Sequence, residues 1–316
     1  MREQPPTYYD RPALKGGHWG YLVATYFFVG GLAGAAQVIA AVVDLLGHRR
    51  DRQLVSAGRY LALAGALISP VLLIADLQTP SRWYNMLRIY RRTSPMSIGS
   101  WTLVAFGTFS GLAAVGQLAS DVFGLPAGRR VARLVGVPAA LSGALLASYT
   151  GTLLAATSTP FWATGYRILP ALFGLSGTAT ATAALSLILD RCGAPRASVR
   201  RLARLSLLAS IAELTLSLRQ ERIWRRAGVA GPLEEPPLAL PYRLGAVGLG
   251  TLAPLAIHVT QVLTGRELRM ASTLAAVAAL AGGYTQRTVL ILAGKRSAER
   301  PRDYFRLTAA DDGLRD

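Results

Sequence analysis

Five stretches of this 316-residue chain contain no Asp, Glu, Lys or Arg at all: 19–43, 93–120, 134–166, 168–189 and 244–265. Their lengths of 25, 28, 33, 22 and 22 residues reach or exceed the roughly 20 residues of helix that cross a hydrocarbon core about 30 Å thick. Inside such a core each backbone N–H and C=O must find its partner within the protein, so a single spanning segment folds as a helix. Three weaker runs complete the set: 60–75 between Arg59 and Asp76, 205–218 interrupted by Glu213, and 270–294 interrupted by Arg287. Each reaches spanning length by taking in a flanking turn or one buried ionisable group. The expectation is an all-α integral membrane protein with eight transmembrane helices. Gly30/Gly34 and Gly107/Gly111 stand at four-residue spacing, which lets helix backbones approach closely. The first run exceeds the apolar region of a cleavable signal and further spans follow it, so it is expected to be retained.

Charge supports the same class. The 34 Lys and Arg against 17 Asp and Glu give a net charge of +17, a balance that on a soluble domain would suggest nucleic acid. Here the charges fall in the gaps between the uncharged runs, so the expected partner is the lipid bilayer and no nucleic acid. Eight spans place both termini on one side of the membrane, called here the terminal side. That side takes 20 of the 34 basic residues, a lean towards cytoplasmic termini.

Chemistry is bounded by what is scarce. One cysteine, Cys192, excludes disulfide frameworks, thiolate-held iron–sulfur clusters and cysteine-rich zinc sites, so a metal redox centre would belong to a partner. The three histidines, His18, His48 and His258, fall at different depths, so no two can share a haem iron. P-loop, His-Glu-x-x-His and Gly-x-Ser-x-Gly motifs do not occur.

At about 1.5 Å of rise per residue, each polar residue in a span can be given a depth. His18 at the start of span 1, Asp76 at the end of span 2, the Thr93-Ser94-Pro95-Met96-Ser97 block opening span 3 and Tyr149 late in span 4 all fall towards the terminal side. Convergence of distant residues on one end of neighbouring helices is what a ligand pocket requires. Asp76 is costly at a membrane boundary unless it meets water, Arg82 or a ligand. A second group, Glu213, His258 and Arg287, lies deeper in the later spans. It reads either as a staggered proton path or, for Glu213 with Arg287, as a neutralised buried ion pair.

The stretch Tyr8-Tyr9-Asp10-Arg11-Pro12, Lys15, His18-Trp19 and Tyr26-Phe27-Phe28-Val29-Gly30-Gly31 resembles the opening of the NrfD/polysulfide reductase (PsrC-like) membrane-subunit family. Asp76-Leu77-Gln78-Thr79-Pro80-Ser81-Arg82, Thr93 to Trp101, Tyr149-Thr150-Gly151, Pro160-Phe161-Trp162, the Glu213 helix, and Gly282-Gly283 with Arg287 continue the resemblance in order. It implies two four-helix bundles, with boundaries at 1–18 for an N-terminal segment, 19–157 for the first bundle with a quinone site, 158–294 for the second, and 295–316 for a polar tail. It further implies a subunit of a bacterial inner-membrane oxidoreductase complex that exchanges electrons between a quinol pool, menaquinol foremost, and an iron–sulfur partner. That partner would be a four-cluster ferredoxin-like protein wired to a molybdopterin catalytic subunit, with no haem or cluster in this chain. By position, His18 would bond one quinone carbonyl, Tyr149 the other carbonyl or the headgroup, Asp76 would assist proton exchange, and Ser94 would complete the quinone-contacting set. Leu14 stands where the family has an asparagine, and Gln78 where it has a glycine. A passive anchor for the iron–sulfur protein and a proton- or ion-conducting module are the alternative readings.

Overall fold

A computed structural model describes residues 14, 17, 19–265 and 268–312, the side chains at 49 and 307–312 aside. No strand occurs among the described residues. Among the described residues eight helices of more than 20 residues follow one another: α1 Tyr21–Leu46, α2 Arg52–Ala75, α3 Pro95–Phe123, α4 Pro126–Ala155, α5 Leu169–Arg191, α6 Arg196–Arg226, α7 Pro241–Thr264 and α8 Arg269–Ala298. A tail helix, α9, covers Pro301–Asp312.

Seven of the eight are long and apolar enough to cross a membrane. The exception is α6, where the sequence reading placed a span interrupted by Glu213. Arg196, Arg200, Arg201 and Arg204 crowd its first turns and Arg219, Glu221, Arg222, Arg225 and Arg226 its last, leaving a short apolar middle. The chain is an all-α, multi-pass integral membrane protein. The long uncharged run at 134–166 is not one helix: α4 ends at Ala155, and a short helix at Pro160–Ala163 begins a connection to α5.

The helix ends follow local chemistry. Ser94 caps α3 by accepting the Ser97 N–H at 3.3 Å, with Pro95 in the first turn, where its missing N–H costs nothing. At the other end Gly124 takes a left-handed conformation with φ 66° and stops α3. Pro126 starts α4 two residues later, so the reversal is tight.

Helix α1 packs against α2 and α4, and α3 packs against α2 and α4. In the second half α5 packs on α6 and α8, and α7 on α8 and α6. The halves meet where α1, α2 and α4 contact α5 and where α1 touches α8. Glycine spacing has two outcomes. The backbones of Gly34 and Gly143 touch, so α1 and α4 lie as close as helices can. Gly107 and Gly111, by contrast, face open space. Helix α7 begins as a wide π-helix over Pro241–Leu252 and presses the backbone of Gly250 onto Gly282 of α8.

Candidate functional site

Tyr149, late in α4, is buried and its hydroxyl donates to the Pro95 carbonyl at the start of α3. Its phenol end packs against Gly99, where any added Cβ would collide with it. The 94–99 segment and Tyr149, separated by about fifty residues, are thus brought together as the depth argument requires. Ser94 spends its hydroxyl on the α3 cap, and Ser97 ties the incoming chain by donating to Ile89 O at 3.2 Å and accepting the Arg91 N–H at 3.0 Å. Tyr26 of α1 is buried near enough to Tyr149 for the two phenols to interact electrostatically. In the sequence Tyr26 is marked only by the Tyr26-Phe27-Phe28-Val29-Gly30-Gly31 motif, because a lone tyrosine inside an uncharged run carries no charge signal. Asp76 is half-buried at the C-terminal cap of α2, where its N–H donates to Leu72 O at 3.1 Å. His18 lies outside the described residues.

Two clefts open on this end. One, about 280 Å³, is walled by Ala66, Pro70, Leu73 and Ile74 of α2, by Ser100, Leu103, Val104, Gly107 and Thr108 of α3, and by Trp83, Met86 and Leu87 of the connection. Tyr149 does not line it but stands behind its wall, since Ser100 follows the Gly99 on which the phenol rests. The other, about 240 Å³, is lined by Leu14, Gly17, Trp19, Thr157, Ser158, Thr159 and Trp162.

Trp19 stacks on Trp162 at 5.4 Å, and Trp162 donates its indole N–H to Leu290 O at 2.8 Å. From Trp19 an aromatic series runs through Phe27 to Phe173, whose ring carries the Arg287 guanidinium 3.8 Å from its centroid. This series joins the terminal-side cleft to the second polar group.

Glu213, Gln286 and Arg287 are all buried. Gln286 donates to Glu213 at 3.2 Å and accepts from Arg287 at 3.2 Å, while Arg287 also donates to Phe173 O at 2.8 Å. Glu213 and Arg287 are therefore joined through Gln286 rather than as a direct ion pair. This arrangement lets each charge keep a hydrogen-bonding partner in the low-dielectric interior. Gln286 was missed because a neutral amide beside an arginine carries no charge signal. His258, on α7, stands outside that chain of bonds, and its Nδ1 has no protein partner.

A third polar group was not anticipated. Near the opposite side Arg59, 1% exposed, donates to Asp44 at 2.7 Å, to Gln117 and to Ala132 O at 3.0 Å. Gln117 donates in turn to Asp121 at 2.8 Å and to Ser56 at 3.0 Å, and the Tyr60 hydroxyl donates to Asp121 at 2.8 Å. In the loop beyond, Asp51 accepts from Ser198 at 2.6 Å, from Arg201 and from the His48 N–H at 3.0 Å. Burial alone would raise the Asp51 carboxyl, but these donors outweigh it and hold it below the ordinary carboxylate range.

Polar groups gathered at one end of the spans, with ionisable side chains locked between helices, define a multi-pass membrane protein built around buried chemistry rather than a simple anchor peptide. Residues 13–297 match the family model of polysulphide reductase, NrfD, and the chain belongs to that family. Its members are membrane subunits of quinone-linked oxidoreductase complexes. No curated protein matches the chain.

Proposed function

We propose that this chain is the quinone-reacting subunit of a bacterial inner-membrane oxidoreductase complex, passing electrons between menaquinol and a four-cluster iron–sulfur partner that serves a molybdopterin enzyme. The observation that carries this reading is the contact of Tyr149 with Pro95 and Gly99 behind the apolar cleft between α2 and α3. An apolar slot with a few polar groups at its end suits a ring bearing two oxygens and a hydrocarbon tail. Quinol oxidation releases two electrons and two protons, so the site must supply acceptors for the hydroxyl protons while the partner takes the electrons.

In this reading His18 bonds one quinone oxygen, and Tyr149, whose one O–H is donated to the Pro95 carbonyl, offers its phenol oxygen as the acceptor for the other hydroxyl of the quinol. Asp76, at the α2 end two residues beyond Ile74 of the cleft wall, accepts protons at its mouth. Ser94, whose Oγ accepts the Ser97 N–H, keeps its own O–H to donate and completes the quinone-contacting set. The first four helices form the quinone-binding half, the rest a supporting half in which α6 also crosses the membrane.

Titration of a fluorescent quinol-site inhibitor against detergent-purified protein tests the reading. Saturable binding is expected, with His18→Ala weakening it severely and Tyr149→Phe by about fivefold, the equivalent of one hydrogen bond worth about 1 kcal/mol. No binding by folded chain and by the assembled complex would overturn it. Unchanged quinone-linked turnover in His18→Ala and Asp76→Asn would instead make the chain a passive anchor.

A further inference from the structure

Helix α6 has two unlike faces. Inward it buries Leu202, Ala209, Glu213, Gln220 and Trp224, and α5 and α7 are the long helices packed on it. Outward, Arg196, Arg200 and Arg204 stand exposed at four-residue steps. Leu208, Ile211, Thr215 and Leu218, all exposed, continue the stripe to Arg222. At 100° per residue these positions fall within about 120° of arc, so they form one continuous outer face.

The apolar part of that face is short for a bilayer. Arg204 and Arg219 bound it, about 22 Å apart at 1.5 Å per residue against a hydrocarbon core of about 30 Å. Centred in the core, each of these arginines has its Cα about 4 Å inside the hydrocarbon and its guanidinium turned back to the headgroups. At the Arg204 end the charge is not answered by the protein. The described acids on this side are engaged elsewhere: Asp44 by Arg59, Asp51 by Ser198 and Arg201, Asp121 by Tyr60 and Gln117, and Asp190 by Arg269. Among the described residues neither Arg196 nor Arg204 has an ion-pair partner. Arg50 and Arg52, both exposed, flank Asp51 in sequence, and the bonds from Asp51 to Ser198 and Arg201 bring these two further cations to the border of the row.

We propose that the outer face of α6 at this end binds an anionic phospholipid, with the phosphate between Arg200 and Arg204 and an acyl chain along Leu208 and Ile211. Arginines four residues apart are offset by about 6 Å along the axis, so their planar forks can grip one phosphate from two sides. A phosphate drawn down to Arg204 brings the headgroup layer to the level where the apolar stripe begins, which makes up the missing length. The sign of the headgroup matters. A zwitterionic lipid carries its own ammonium into a field already set by Arg50, Arg52, Arg196, Arg200 and Arg204, whereas an anionic lipid brings only negative charge. The site rests on α6 crossing the membrane, as in the reading above, and is independent of quinone chemistry.

Lipid titration of the full-length chain in detergent micelles, read by native mass spectrometry, tests the site with phosphatidylglycerol and phosphatidylcholine of identical chains. Wild type should take up its first phosphatidylglycerol about tenfold more tightly than phosphatidylcholine. Arg204→Gln should lower that preference severalfold, and Arg200→Gln with Arg204→Gln should abolish it. Arg130→Gln removes one charge at an exposed position at the start of α4 on the same side and should leave the preference intact. All three positions are exposed and glutamine is a good helix former, so these variants are expected to fold. Equal affinity for the two lipids in wild type would overturn the site, as would an equal loss in Arg130→Gln, which would reduce the effect to net charge. Glycerophosphoglycerol, the same headgroup without chains, should not displace the lipid at equal concentration; displacement would make this a site for soluble phosphate and overturn the lipid assignment. Binding of the quinol-site inhibitor should be the same in all of these variants, so the quinone reading stands or falls separately. Whether α6 crosses is also read separately, from the side on which Cys192 and a thiol in the 227–240 connection are labelled.

Discussion

Gly99 and Gly107 lie two turns apart on α3 and face opposite circumstances. A Cβ at 99 meets the Tyr149 ring, whereas a Cβ at 107 meets nothing within 4 Å, because that position opens into the α2–α3 cleft. The pair separates occupancy of the cleft from integrity of the fold. Gly107→Leu should leave thermal stability within about 0.5 kcal/mol of wild type, or raise it slightly, since leucine favours helix and nothing needs to move. The same substitution fills the cleft, so inhibitor binding should fall steeply. Gly99→Ala should instead displace Tyr149, lowering stability by about 1–3 kcal/mol and inhibitor affinity together. Differential scanning fluorimetry beside inhibitor titration reads both quantities. Full binding in Gly107→Leu would place the ligand elsewhere, with the Trp19–Trp162 cleft next to be examined.

Close helix approach depends on which face a glycine occupies, and spacing alone does not say. Gly30/Gly34 and Gly107/Gly111 share one sequence pattern, yet the first pair lies against α2 and α4 and the second faces open space. Gly34→Val should force α1 from α4 and cost about 1–3 kcal/mol, while Gly111→Val should leave stability unchanged or raise it by a few tenths of a kcal/mol, since valine is the better helix former and meets nothing there. Unfolding by SDS titration, followed by far-UV circular dichroism, distinguishes them; equal losses would mean that α1 and α4 are not in backbone contact. The same reasoning explains what could be read from the chain without coordinates. Uncharged runs located the strongly apolar helices because the bilayer imposes both length and composition. Tyr149 and the 94–97 block were found because depth follows from counting along a helix. The Arg59 network was not, since Asp44, Arg59 and Asp121 each bound an uncharged run and read as boundary charges. Only packing turns Arg59 inward onto Gln117 and Asp44.

How the whole chain threads the membrane turns on α6. Its 31 residues extend about 46 Å at 1.5 Å per residue, more than the hydrocarbon core of about 30 Å. The arginines at both ends have long stems that can lie along apolar surface with the charge at the interface, so a helix with a short apolar middle can still cross. Glu213, in that middle, is held by Gln286 rather than exposed to lipid. If α6 crosses, the 192–195 turn and the 227–240 connection lie on opposite sides, and both ends of the protein share one side. Cys192 is exposed and is the single thiol of the chain, which supplies a native reporter. In sealed vesicles a membrane-impermeant maleimide should label Cys192 from one side only. A thiol placed by Glu234→Cys in the Cys192→Ser background, at an exposed position of the other connection, should be labelled only from the other side. Labelling of both from the same side would leave α6 lying along the membrane surface, reverse the sidedness of α7 and α8 relative to the first four helices, and separate the N-terminal and C-terminal ends of the chain. The ties from Trp19 to Trp162 and from Trp162 to Leu290 argue for the crossing, since they hold the start of α1, the α4–α5 connection and the later part of α8 at one end of the molecule.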